Sequence, residues 1–233
     1  MKRILGRSGI EVSALGMGCW AIGGPFSNDG KAVGWGEVDD AESTRAIHAA
    51  LEQGVNFFDT ANVYGAGHSE RVLGNALAGR RDQVVIATKF NAIFNEETRE
   101  VTGSDTSPAG IRQACEESLR RLDTDYIDLY QFHDNAYPAE KALPVRETLE
   151  ELVAEGKIRA YGWSTDFADR AAFFAEGPAC TAIQLQLNVL NDNAAVIAVC
   201  EEENLAAINR CLLYTSPSPR DCGPDLVCRL LLE

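Results

Sequence analysis

No run in this sequence approaches the roughly 18 consecutive apolar residues of a membrane-crossing helix, so no span is predicted. The opening "MKRILGRSGIEV" is basic but has no apolar stretch of the secretory kind, because Gly6, Arg7 and Ser8 interrupt it at once. Basic residues are also scarce. Lys and Arg number 21 against 35 Asp and Glu, a formal net charge of −14. With no basic stripe to displace counterions, binding to a nucleic-acid backbone is not expected. A small anionic ligand stays open, since a few local donors suffice for it. The 7 cysteines show no CxxC spacing and are odd in number, which predicts reduced thiols in a cytoplasm rather than a disulfide framework. No metal is expected.

What is present is an ordinary globular composition, 45% hydrophobic and 24% charged over 233 residues, enough for one large or two small domains with a sizeable core. "MKRILGRSGIEVSALGMG" suggests a short hairpin turning at "GRSG" and leading into a first strand near residues 14–18. "DDAESTRAIHAALEQG" then predicts a helix capped by Asp39 or Asp40 and stopped at Gly54. From there strands ("VNFFD", "QVVIATK", "YIDLYQFH", "IRAYGWS", "TAIQLQLN", "LAAIN") alternate with helical segments ("SERVLGNALAG", "SPAGIRQACEESLRRL", "EKALPVRETLEELVAEG", "FADRAAFFAEG", "AAVIAVCEEEN"). Ser107 and Pro108 supply a cap and a first helical residue for the second of these helices.

Strict βαβα alternation implies a parallel sheet, either open and doubly wound or closed as a (β/α)8 TIM barrel. Polar residues stand where the strands end: Asp59, Lys89, His133, Ser164 and Gln184. A barrel gathers such ends on one face, whereas an open sheet spreads them along an edge, so the barrel is favoured. "GMGCWA" matches a dinucleotide-binding glycine pattern, but "IGGPF" follows it where that fold requires a long helix to open. Histidines 48 and 68 read as helix-surface and loop residues.

In "NFFDTANVYG" an aspartate and a tyrosine follow a buried strand. A tyrosine gives up its proton reluctantly at neutral pH, and a nearby ammonium favours the phenolate. Lys89 could supply that ammonium, Asp59 could hold the lysine charged, and His133 could orient a carbonyl oxygen beside Tyr64. Taken singly, the four also read as a helix cap, loop packing, a strand-end lysine and a core histidine. A glycosidase would need a second acidic strand end, and Asp166 reads better as the cap of the next helix.

Together, "FFDTANVYGAGHSERVLGNAL", "VVIATK" and "IDLYQFHD" resemble the aldo-keto reductase family over about residues 1–210, N-terminal hairpin included. The resemblance implies a TIM barrel that binds NADPH without a dinucleotide-binding fold and reduces a small aldehyde or ketone. It implies Tyr64 as proton donor, Lys89 and Asp59 tuning it, and His133 positioning the carbonyl. Retention of His133 favours a reductase over the family's channel-associated branches, in which that position is replaced. Cofactor contacts are implied at Gly18, Cys19, Trp20, Asp59, Ser164, Thr165, Gln184 and Arg210. Thr165 stands where the family pattern has asparagine. The alternative is a non-catalytic NADPH-binding or regulatory barrel, or an inactive fragment.

After "LAAINR" the resemblance stops. Residues 211–233, "CLLYTSPSPRDCGPDLVCRLLLE", carry 3 of the 7 cysteines. Their start resembles translated sequencing-adaptor sequence, with a Ser/Pro linker as the other reading. The expectation is a domain over 1–210, incomplete after about the start of the seventh strand, and a foreign tail over 211–233. Such a barrel would have two open edges, and poor solubility or inactivity would follow.

Overall fold

The computed structural model describes residues 1–188 and 191–210, together with the backbone of Val227–Arg229. A hairpin of β1 (Lys2–Ile4) and β2 (Glu11–Ser13) opens the chain and turns through a 3-10 helix at Gly6–Ser8. Then follow β3 (Leu15–Gly18), β4 (Phe26–Asn28), β5 (Lys31–Val33), α1 (Asp40–Glu52), β6 (Phe57–Asp59) and α2 (His68–Ala76). Next come β7 (Val85–Phe90), β8 (Ala92–Asn95), β9 (Glu100–Ser104), α3 (Pro108–Leu122), β10 (Ile127–Phe132) and α4 (Leu143–Ala154). The series ends with β11 (Ile158–Ser164), α5 (Ala168–Ala175), β12 (Cys180–Gln186), α6 (Ala194–Glu202), β13 (Ala206–Arg210) and β14 (Val227–Arg229).

Seven of these strands run parallel in the order β13-β12-β11-β10-β7-β6-β3, a curled sheet that makes up most of a (β/α)8 barrel. The backbone of β14 pairs antiparallel with β3, Val227 opposite Met17, and also runs close to β13. Among the described residues the sheet does not close: β14 covers the β3 side, and the two edges are β13 and β14. The expectation of a foreign tail concerns residues that, β14 backbone apart, lie outside the described ones.

Side chains alternate between the two faces of each strand. The inward set, Phe57, Val85, Ala87, Leu129, Ala160, Ala182, Ala206 and Ile208, packs on Leu5, Ile10 and Val12 of the N-terminal segment, which plugs the bottom. Arg7 ties that plug to the barrel by donating to the carbonyls of Ala175, Gly177 and Cys180. Outward residues such as Phe58, Ile86, Tyr130, Phe132 and Trp163 fill the layer between sheet and helices. Local signals act as their chemistry requires. Asp39 accepts from the N–H groups of Ala41 and Glu42 to start α1, and Ser107 accepts from Gly110 to start α3, with Pro108 first inside it.

Two stretches that the hydrophobic pattern leaves as loops are ordered instead. Strands β5-β4-β9-β8 form a separate four-stranded sheet over the C-terminal ends of the barrel strands. The signal for its first hairpin is "NDGK": Asp29 and Gly30 both adopt positive φ (50° and 70°), which suits a two-residue turn.

Candidate active site

Since the barrel strands are parallel, their C-terminal residues converge on one face. The inward sequence of β6 is Phe57 then Asp59, of β7 Val85, Ala87 then Lys89, and of β10 Leu129 then Gln131. An apolar interior thus ends in a polar top layer. Lys89 is fully buried, and its three ammonium protons have three acceptors: Asp59 Oδ1 at 2.6 Å, the carbonyl of Thr60 at 2.8 Å and the Tyr64 hydroxyl at 3.2 Å. Burial opposes the lysine charge. The carboxylate of Asp59, with Tyr64 behind it, outweighs burial and holds the Lys89 pKa above the ordinary lysine value.

Tyr64 comes to this point through a tight main-chain approach. Gly65 has φ 61°, and a Cβ there would lie 1.9 Å from the carbonyl oxygen of Gly23; one on Gly23 would lie 2.8 Å from the Tyr64 carbonyl carbon. These two glycines allow the turn to press against the single 3-10 turn Ala21–Gly23. Tyr64 stacks on Trp20 at 6.0 Å between ring centroids and meets His133 edge-on at 6.1 Å. Trp35, from the turn after β5, meets Trp20 in a T-shaped contact at 5.7 Å.

His133 follows β10 and is anchored by its N–H to the carbonyl of Phe90 at 3.0 Å. Burial, followed by the charges of Lys89 and Arg210, lowers its pKa to about 3, so the imidazole is neutral at physiological pH and can donate one N–H. The linkage sign is that of a base depressed by folding. Between about pH 3 and the usual value near 6.5 the unfolded chain binds the extra proton, so stability is lost as pH falls through that window. The expected outcome is a flat His133 ring signal in NMR titration from pH 8 down to about 4.5. A mid-point near 6.5 would contradict it.

The other predicted residues divide. Gln184 and Ser164 join the site: Gln184 donates to Asp59 Oδ2 at 2.8 Å, and the Ser164 hydroxyl lies 3.4 Å from the Gln184 carbonyl oxygen. Gly18 pairs in register with Asp59. Cys19 is brought to the strand end by its main chain alone. Its N–H donates to Asp59, its carbonyl accepts from Ser69, and its thiol is buried in the outer core, where burial reinforced by Asp59 raises its pKa. Thr165 is also occupied elsewhere, its hydroxyl donating to the carbonyl of Asn135 and its N–H to that of Gln184. Arg210 pairs with Asp166 at 2.5 Å. Asp166 is not the helix cap expected of it: α5 begins after Phe167 without a side-chain cap, and Asp166 also accepts from the N–H of Gln186. The strand-end carboxylate is drawn to a cation and a free N–H of the neighbouring strand.

One residue of this centre escaped the sequence reading. Gln131 is fully buried and donates to Asp59 Oδ2 at 3.1 Å. Its signal was a lone polar side chain on the inward face of "IDLYQF", two residues before His133. The small sheet adds a cleft of about 360 Å³ beside His133, lined by Val63, Asn91, Ser104 and Asn28 among others.

A nicotinamide fits the groups present. Ser164 and Gln184 together offer the donor and acceptor that a carboxamide needs, and the buried Trp20 Nε1 and Arg210 Nε have no partner among the described residues.

A sequence model of the aldo/keto reductase family matches residues 14–216, and the chain belongs to that family. Among curated relatives, the aldo-keto reductase YhdN of Bacillus subtilis (strain 168) is 43% identical over 168 residues, which is 67% of this chain and 44% of that protein. The chain spans about half the length of the curated relatives it matches, from 44% to 57%. Among solved structures, the holo form of the aldo-keto reductase AKR11C1 from Bacillus halodurans superposes with a TM-score of 0.78 at 32% identity, covering 94% of this chain and 70% of that one. An aldo-keto reductase from Klebsiella pneumoniae in complex with NADPH gives 0.68 at 27% identity, over 91% of this chain and 68% of that one. Among the described residues, no helix is long and apolar enough to cross a membrane.

Proposed function

We propose that the protein reduces an aldehyde or ketone to the alcohol with NADPH. The observation that carries the reading is the chain of contacts from Asp59 through the buried Lys89 ammonium to the Tyr64 hydroxyl, beside a neutral His133. NADPH, when bound, supplies a hydride to the carbonyl carbon. Tyr64 gives its proton to the carbonyl oxygen, so the substrate gains two electrons and two hydrogens and leaves as the alcohol. Lys89 donates to the phenol oxygen and stabilises the negative charge that grows there as the proton departs. Asp59 neutralises Lys89 in a dry site where an unpaired ammonium would be costly. His133, neutral, donates an N–H to the carbonyl oxygen without competing as an acid.

Ser164 and Gln184 would hold the nicotinamide carboxamide, Trp20 would wall the pocket, and Arg210 would meet an anionic part of the cofactor once released from Asp166. A family relative solved with NADPH supports the choice of cofactor. The test combines a nicotinamide-fluorescence titration with a turnover screen over small aldehydes and ketones. Saturable NADPH binding with carbonyl-dependent oxidation is expected. Binding without turnover of any carbonyl would favour a regulatory NADPH-binding barrel, and absence of both would reject the proposal.

A further inference from the structure

We infer that Gln131 is a positioning residue of the reaction centre: its amide N–H fixes the Asp59 carboxylate so that Oδ1 is left for Lys89. The inference rests on the reductase reading for its kinetic arm only. Asp59 Oδ1 takes the Lys89 ammonium at 2.6 Å, while Oδ2 takes two amides, Gln184 at 2.8 Å and Gln131 at 3.1 Å. A carboxylate with a single strong partner can rotate about its last side-chain torsion, because that torsion is broad. Donors on the second oxygen remove this freedom. The Lys89 ammonium then stays directed at Tyr64.

The two amides are not equivalent. Gln184 stands three strands beyond β7, and its carbonyl oxygen already lies near the Ser164 hydroxyl, so it bridges the centre to the group proposed to receive the carboxamide. Gln131 stands on the strand next to β7, in register with Lys89 and directly below His133 on the same face. It is 0% exposed, and its carbonyl oxygen has no partner among the described residues. A buried amide half satisfied in this way is a poor choice for filling space, since an apolar side chain of the same size would leave nothing unpaired. Among the described residues its side chain bonds to Asp59 alone.

The reaction centre around Gln131 contains Asp59 from β6, Lys89 from β7, His133 beyond its own strand and Tyr64 above the lysine. Two substitutions separate positioning from packing. Gln131→Met keeps length and volume but removes the donor, and kcat is expected to fall about tenfold with the carbonyl KM unchanged, one hydrogen bond to a charged acceptor having been lost. In the Tyr64→Phe background the same change should have no further effect.

Gln131→Glu keeps shape and puts a second carboxyl against Asp59. That carboxyl is neutral at low pH and resists ionising in the folded chain. Stability relative to the unmodified protein should therefore fall as pH rises past the ordinary glutamate value near 4.3. The expected Tm difference is small at pH 4.5 and reaches about 5 °C by pH 8. A kcat within twofold of the parent for Gln131→Met, or a Tm difference independent of pH for Gln131→Glu, would overturn the inference. A parent protein that turns over no carbonyl rejects the reductase reading instead, and the melting series still decides the placement of Gln131.

Discussion

Tyr64→Phe is expected to lower carbonyl turnover by roughly 10²- to 10⁴-fold, the usual span of a general acid, while the NADPH titration is unchanged. The ring environment makes this a clean deletion. Tyr64 stacks on Trp20 and meets His133 edge-on, so phenylalanine finds the same aromatic slot and only the hydroxyl is lost. What remains is a buried Lys89 with its Asp59 and Thr60 contacts intact. Such a variant should bind and orient substrate without protonating it, and kcat should drop with little change in KM. Turnover within threefold of the parent would show that another group delivers the proton.

The largest expected effect on stability lies behind the site. Arg121 of α3 is 1% exposed, and its Nε donates to Glu70 of α2, itself 0% exposed, at 2.6 Å. Glu70 accepts on its other oxygen from Thr88 of β7, the residue before Lys89, at 2.6 Å. Arg121 continues to Glu96, after β8, at 3.1 Å and lies over the Phe94 ring. Arg121→Leu leaves the Glu70 carboxylate buried and unpaired, a situation worth about 3–5 kcal/mol of destabilisation. For a chain of this size that lowers Tm by about 10 °C. The control is Arg121→Leu with Glu70→Gln, which removes the charge with its partner and should recover a good part of the loss. Equal losses in single and double variants would mean that shape, not the stranded charge, is what Arg121 supplies.

Much of this architecture can be read along the chain because barrel strands and their helices announce themselves locally. "VVIATK" or "YIDLYQFH" carries both its burial and its polar end, and caps such as Asp39 and Ser107 mark helix starts. The convergence of Asp59, Tyr64, Lys89 and His133 follows from parallel strands having their ends on one side. What could not be read depends on contacts between distant segments. Gln131 looks like one polar residue on the inward face of its strand until β6 brings Asp59, itself bonded to Gln184, against it. Asp166 looks like a cap until Arg210, 44 residues later, takes its carboxylate. The small sheet is likewise non-local, since Ser27 and Asn28 of β4 pair with Glu100 and Val101 of β9.

Under the reductase reading, that small sheet has a consequence for how the cleft could come to admit other carbonyls. One wall of the cleft beside His133 is made of paired strands, with Ala92 opposite Ser104, Ile93 opposite Gly103 and a register shift opposite Thr102. Ala92 and Ser104 line the cleft from this paired framework. Widening the cleft by inserting residues would break strand register, whereas single exchanges at exposed positions such as Thr102 would leave it intact. Variation in such a wall is easier by substitution than by lengthening, and, if the cleft receives the proposed carbonyl, selection for a bulkier one should find its first solutions as point changes in β9.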